Sequence, residues 1–353
     1  MEPEVFIQAK VSKAPRSLPL SRRLAKEIAP HEVFLLVCSL VFSIFAIFAS
    51  FRIPEWPFVL LDMAVAAGVV FGINLWTTLN SSQEIGIWLR RARLLYLFPV
   101  IPIYFEAMGL IAFPLHGHDF DSILIATDRL IFGVNPTQWL WQHFPTWPWL
   151  TEYLMICYSL FYFLPLVLVI DLYLQCRKNN KEWSWSFRDI SREEPSSSVE
   201  QVVFIIVYGF LLSYIGYLLI PSIGPRFTLH NFFDLSKELP GLWLTEPLRN
   251  ILNRGENILP GMSINEVLRG VNRDAFPSGH TDITALTIIL AFQFRSRFRW
   301  PILIIGTSLI FSTIYLRYHY VIDIIGGLVF AAITLYTWQW LRDRMLILRA
   351  RFS

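Results

Sequence analysis

An all-α, polytopic membrane bundle of about eight transmembrane helices is the fold class this sequence predicts, on three observations. Of its 353 residues, 54% are hydrophobic and 16% aromatic, and the mean hydropathy is +0.48. That surplus of apolar side chains exceeds what a soluble domain carries. Apolar runs recur at close to the roughly 20 residues that a helix needs to cross a hydrocarbon core of about 30 Å. The basic residues, finally, are sorted onto alternate connections between those runs, and a net charge of only +3 gives no reason to expect a nucleic-acid partner.

The elements follow in order. Residues 1–30 form a basic arm with six Lys and Arg side chains. The first apolar run after it has no small-x-small cleavage site, so it reads as an uncleaved span. Eight spans are predicted, with cores near 33–51, 58–79, 94–113, 152–174, 200–220, 278–294, 301–318 and 321–341, the sixth and seventh being short. Residues 31–80 hold two accessory helices; 81–345 form the transmembrane core with an outward cap at 221–277; 346–353 are a tail. With the N-terminus in the cytoplasm, 21 of the 30 basic residues fall inside, including RRAR at 90–93 and RSRFR at 295–299. The positive-inside rule then puts both termini in the cytoplasm.

Two outward segments are too long to be turns. In 114–151, HGHDFDSILIATDRLIFG has apolar residues at helical spacing beside Asp119, Asp121 and Asp128, which predicts an interfacial helix. Trp139, Trp141, Trp147 and Trp149 follow as an aromatic belt at headgroup depth. Pro221 to Asp274 is rich enough in apolar residues to predict an ordered cap. On the other side, KEWSWSFRDISREE reads as a surface against anionic lipid. Cys38, Cys157 and Cys176 lie in or beside apolar spans and read as packing residues.

Two motifs carry chemistry. In FPSGHTDITALTIILAF, Pro277 stands near a helix start, where Ser278 offers a hydroxyl and Gly279 an unobstructed N–H at the positive end of the dipole. That is an anion site suited to phosphate, or simply a Pro-Ser helix cap. His280 favours the first, because an ionisable side chain at a membrane boundary is a functional hypothesis by default. In STIYLRYHYVIDIIGG, His319 and Asp323 are four apart and share a helix face, so the carboxylate can fix the imidazole tautomer. No nucleophilic Ser follows in the pattern, which leaves the second ring nitrogen of His319 as a candidate nucleophile. A buried ion pair closing a helix hairpin is the competing reading.

Between the two histidines the chain makes one inward and one outward crossing, so both belong to the same membrane boundary. Arg226, in PSIGPRF, and Arg317 reach that level too. Anion binding with acid and nucleophile roles accounts for the convergence.

PSGH followed by a span and then His-x-x-x-Asp resembles the type 2 phosphatidic acid phosphatase superfamily. YLRYHYVIDIIGG, IGPRF and DRLIFGVNP are similar to its inositol phosphorylceramide synthase-like branch. The resemblance implies that His319 attacks phosphorus, Asp323 orients it and His280 protonates the leaving oxygen. It implies that Ser278, Gly279 and Arg226 bind phosphoryl oxygens, with no metal or other cofactor. Two departures stand out: Thr313 replaces the usual third-motif Arg, and Arg226 precedes Phe227 with no matching Lys. Arg317, one helical turn after Thr313, is expected to bring a guanidinium to nearly the same place. The function so implied is hydrolysis of a membrane lipid phosphate at the outer, periplasmic or lumenal, face. Phosphoalcohol transfer and lipid transport are the alternatives.

Overall fold

The structure, a computed structural model, describes residues 19–80, 96–178 and 196–352. Most of the basic arm, the RRAR turn and the KEWSWSFRDISREE loop lie outside the described residues. Every regular element described is helical: α1 (Leu20–Glu27), α2 (Pro30–Phe48), α3 (Trp56–Leu79), α4 (Leu97–His116), α5 (Asp121–Phe132), α6 (Pro136–His143), α7 (Pro148–Ser159), α8 (Phe163–Lys178) and α9 (Ser196–Leu219). The cap follows with α10 (Pro225–Thr228), α11 (Leu235–Glu238), α12 (Thr245–Gly255) and α13 (Ile264–Gly270). Last come α14 (Gly279–Gln293), α15 (Arg299–Tyr315) and α16 (Val321–Phe352).

Helices α2, α3, α4, α9 and α16 are long and apolar enough to cross a membrane, and α7 with α8 makes a sixth crossing if counted as one span. The short sixth and seventh spans of the sequence correspond to α14 and α15, of 15 and 17 residues. The chain is thus a polytopic helical membrane bundle. Arg349 Nε, near the end of α16, donates to the Ala25 carbonyl of α1 at 2.8 Å, so both ends of the described chain meet at one end of the bundle. The eight spans expected from the sequence would require this.

Two expectations change. The first span starts at Pro30, three residues early, because the Glu32 carboxylate accepts from the Ala29 N–H at 2.8 Å and closes the helix start. The span expected to run unbroken over 152–174 is bent by 57° between α7 and α8. Pro165 supplies the reason: it lacks the N–H that would bond the Phe161 carbonyl, and its ring crowds that carbonyl. The bend keeps its own bonds, Phe161 N–H to Tyr158 and Phe163 N–H to Leu160, at 3.2 and 2.9 Å.

Helix α14 is the hub. Ten of its fifteen residues are buried, and α8, α9, α15 and α16 pack round it. Gly327 lets α16 approach: a Cβ there would lie 2.5 Å from the Ser278 carbonyl oxygen. Around this hub the amphipathicity of α5 is turned outside in. Asp121, Leu124 and Asp128 face inward, while Leu130 and Ile131 are exposed, the arrangement expected where the surroundings are lipid. Trp139, Trp141, Trp147 and Trp149 are exposed along α6 and α7, as a belt requires.

The cap is ordered, and one carboxylate makes five of the bonds that fasten it. Glu152 of α7 accepts from the backbone N–H groups of Leu242, Trp243, Leu244 and Thr245 at 2.6–3.1 Å, and from Thr245 Oγ1 at 2.6 Å.

Candidate functional site

The turn at Pro277–Gly279 is built by stitching three loops together. Ala275 N–H donates to the Ser222 carbonyl at 3.1 Å, and Phe276 N–H to Ser222 Oγ at 3.1 Å. Ser278 N–H donates to the Asp323 carbonyl at 2.9 Å, which joins the turn to the first turn of α16. Helix α5 holds the other two sides. Asp121 accepts from Ile223 and Gly224 N–H at 3.0 and 2.9 Å and from the Tyr320 hydroxyl at 2.7 Å. Asp128 accepts from Val321 and Ile322 N–H at 3.0 and 2.8 Å, meeting the open donors of α16. The loop carrying Arg226 and the loop carrying His319 thus hang from one helix.

His319 and His280 come together at this junction. Nε2 of His319 lies 3.4 Å from Nδ1 of His280. Nδ1 of His319 lies 2.8 Å from the Ala275 carbonyl oxygen, which can only accept, so the proton sits on Nδ1 and Nε2 keeps its lone pair. Asp323 is present, its Oδ2 at 3.4 Å from the same Nδ1, and that oxygen also accepts from Tyr320 N–H at 2.8 Å. The partner expected from the four-residue spacing is therefore joined by a closer one, a backbone carbonyl. Burial lowers the His319 pKa to about 4 against the charge of Asp274, so the ring is neutral at ordinary pH.

His280 is held differently. Its ring stacks on Tyr158 at 4.4 Å and 21° and packs against Phe161 at 4.2 Å and 34°. Tyr158 stacks in turn on Tyr318 at 4.4 Å and 17°, and the Arg226 guanidinium lies 4.5 Å from the Tyr318 ring centre. Phe227 covers the other side of Arg226 at 4.6 Å.

The expected anion ligands are near but engaged. Ser278 is fully buried as the N-cap of α14, its Oγ accepting from Thr281 N–H and Oγ1 at 3.2 and 3.0 Å. The cap reading of Pro-Ser therefore describes its lone pairs, while its hydroxyl proton remains to be given. Gly279 is buried under the Tyr217 hydroxyl, which a Cβ would meet at 2.1 Å. Arg226 is 3% exposed, pairs with Glu256 and donates to Asn253 Oδ1 at 3.2 Å. Its guanidinium pKa is raised: burial is the largest single effect and works against the charge, but Glu256, Tyr318, Tyr158 and Asp274 together outweigh it.

Arg317 departs from expectation. Helix α15 stops at Tyr315, and Arg317 has a left-handed φ of +68°, so the helical spacing from Thr313 does not carry over to it. Its guanidinium pairs with Glu238 of the cap and lies 5.4 Å from the Trp141 ring centre. Arg273, four residues before Pro277, pairs with Asp119 at 3.2 Å.

Three features escaped the sequence. Asp274, just ahead of that turn, is close enough that its charge acts on His319 and Arg226. Burial first, then the Glu256 carboxylate, raises its pKa. Glu256 follows α12 and is the counter-ion of Arg226. The aromatic flank of His280 is the third. An acid six residues ahead of a histidine was the one available signal, and it is weak.

A helical membrane bundle with a histidine pair over a helix N-terminus, beside a buried arginine, is the class of protein that fold and site define. Residues 192–337 match the model of the PAP2 superfamily. The undecaprenyl-diphosphatase BcrC of Bacillus subtilis (strain 168) is 45% identical over 60 residues, 17% of this chain. The chain spans 31% of the length of that relative. No solved structure matches. The inositol phosphorylceramide synthase-like branch finds no support in these relatives.

Proposed function

We propose that the protein is an integral membrane lipid phosphate phosphatase that works through a phosphohistidine. The observation that carries the reading is the His319–His280 pair, with the proton of His319 fixed on the nitrogen away from its partner. The Nε2 lone pair of His319 attacks phosphorus as the ester P–O bond breaks, and His280 gives its Nδ1 proton to the leaving oxygen. Water then attacks the phosphohistidine, returns a proton to His280 and releases phosphate. The in-line path from nitrogen through phosphorus and oxygen to the second nitrogen exceeds 3.4 Å, so binding must part the two rings. Arg226 supplies positive charge to the phosphoryl oxygens once Glu256 yields it, and the Ser278 hydroxyl and Gly279 N–H complete the cradle. Arg317 is assigned to the cap instead. By the positive-inside rule the site faces the periplasm or lumen.

Phosphoalcohol transfer is the second reading, favoured by the cap: Glu256 and the aromatic residues round Arg226 cover the site and would keep bulk water out. Vesicles containing the protein, given phosphatidic acid or phosphatidylinositol labelled on phosphorus, with and without ceramide, separate the two. Free phosphate is expected; a labelled phosphosphingolipid would turn the assignment to transfer. His319→Ala should abolish turnover, and His280→Ala with p-nitrophenyl phosphate should accumulate phosphohistidine. Lipid movement that survives His319→Ala without turnover would favour a transporter.

A further inference from the structure

His319 and His280 are oriented by unlike means. His319 has a carbonyl and a carboxylate on Nδ1. His280, among the described residues, has no hydrogen bond except the 3.4 Å contact with His319, which is the contact a phosphoryl group must open. A proton donor needs its ring aimed at the leaving oxygen, and second groups normally do the aiming. Here no polar group is in place. Two aromatic rings are, and both come from the broken span: Tyr158 from the last turn of α7 and Phe161 from the bend itself.

On an unbroken helix, residues three apart point along one face and meet a neighbour at successive levels. The 57° bend lets Tyr158 and Phe161 converge on a single imidazole instead. Tyr158 cannot swing, because Tyr318 stacks on it and carries Arg226. Phe161 is held by Phe210 of α9 at 5.7 Å. We propose that the α7–α8 break is a clamp that positions His280 for proton transfer, with the Tyr158 ring, rather than its hydroxyl, as the principal positioning group. The proposal rests on the phosphatase reading.

The test measures leaving-group release in a single turnover with two substrates. Dodecyl phosphate departs as a basic alkoxide and needs the acid; p-nitrophenyl phosphate departs as a weakly basic phenolate and does not. Tyr158→Leu should slow release of dodecanol about 10²-fold and change release of p-nitrophenol by less than about threefold, since correctly aimed general acids contribute on that scale. Tyr158→Phe, which keeps the ring, should behave as wild type with both. Phe161→Leu repeats the test from the other flank. Equal losses with both substrates in the two Leu variants would mean a merely structural role and overturn the clamp. Loss in Tyr158→Phe matching that in Tyr158→Leu would assign the effect to the hydroxyl and also overturn it. Wild-type protein that releases neither alcohol would overturn the phosphatase reading, and the clamp with it.

Discussion

His319 is a neutral imidazole whose tautomer is set by the carbonyl of Ala275. Its pKa of about 4, below the 6.5 of a free histidine because burial disfavours the charged ring, has two consequences of known sign. As a nucleophile it stays competent well into acid. Vanadate-protectable inactivation by diethyl pyrocarbonate, which needs a neutral ring, should hold its rate from pH 7 to about 5; a rate halved at 6.5 would contradict the assignment. For stability, the unfolded chain takes up this proton first, so the contribution of His319 is present above pH 6.5 and is lost as pH falls towards 4. Asp274 works in the opposite sense, since its raised pKa means that the folded state binds the proton more readily. Asp323 was legible as a partner of His319 because a spacing of four is local, although His319 stands two residues ahead of α16 rather than on a shared helix face. Ala275 was not: a backbone carbonyl leaves no mark in side-chain identities. For Arg317 the helical spacing from Thr313 was extended past the point where α15 stops.

At the scale of elements, α5 shows what pattern can and cannot tell. Its period predicts an interfacial helix, and Asp121 and Asp128, seven apart, lie two turns along one face. Their partners lie some hundred to two hundred residues further along the chain, and no local rule connects them. Asp128→Ala should leave Val321 and Ile322 N–H unmet and cost about 1–2 kcal/mol, the usual scale for a lost helix cap. Hydrogen exchange at those two amides should accelerate, and turnover should fall because His319 sits directly ahead of them. Unchanged exchange would show that α16 is capped by something else. The break between α7 and α8 was open to discovery from sequence: Pro165 is an interior proline in an apolar run, and it moves the end of one helix to the level of His280.

The molecule as a whole was the most legible scale, since hydropathy and charge are summed over many residues and survive local errors. Of the eight predicted spans, five fall on helices long and apolar enough to cross a membrane and a sixth on α7 with α8 taken together, while α14 and α15 are shorter; the two ends of the described chain meet. With the native cysteines replaced, single cysteines at Arg22 and Arg351 should react with a membrane-impermeant maleimide from the same side of sealed vesicles. One at Trp243, on the cap, should react from the other. Labelling of the first two from opposite sides would refute the even count. What hydropathy does not encode is depth. The 15 residues of α14 rise roughly 22 Å, short of a hydrocarbon core of about 30 Å. Its start is level with the start of α16, because Ser278 N–H bonds to the Asp323 carbonyl. The length of α14 therefore acts as a ruler: one added turn would lift His280 about 5.4 Å, out of reach of Tyr158 and Phe161.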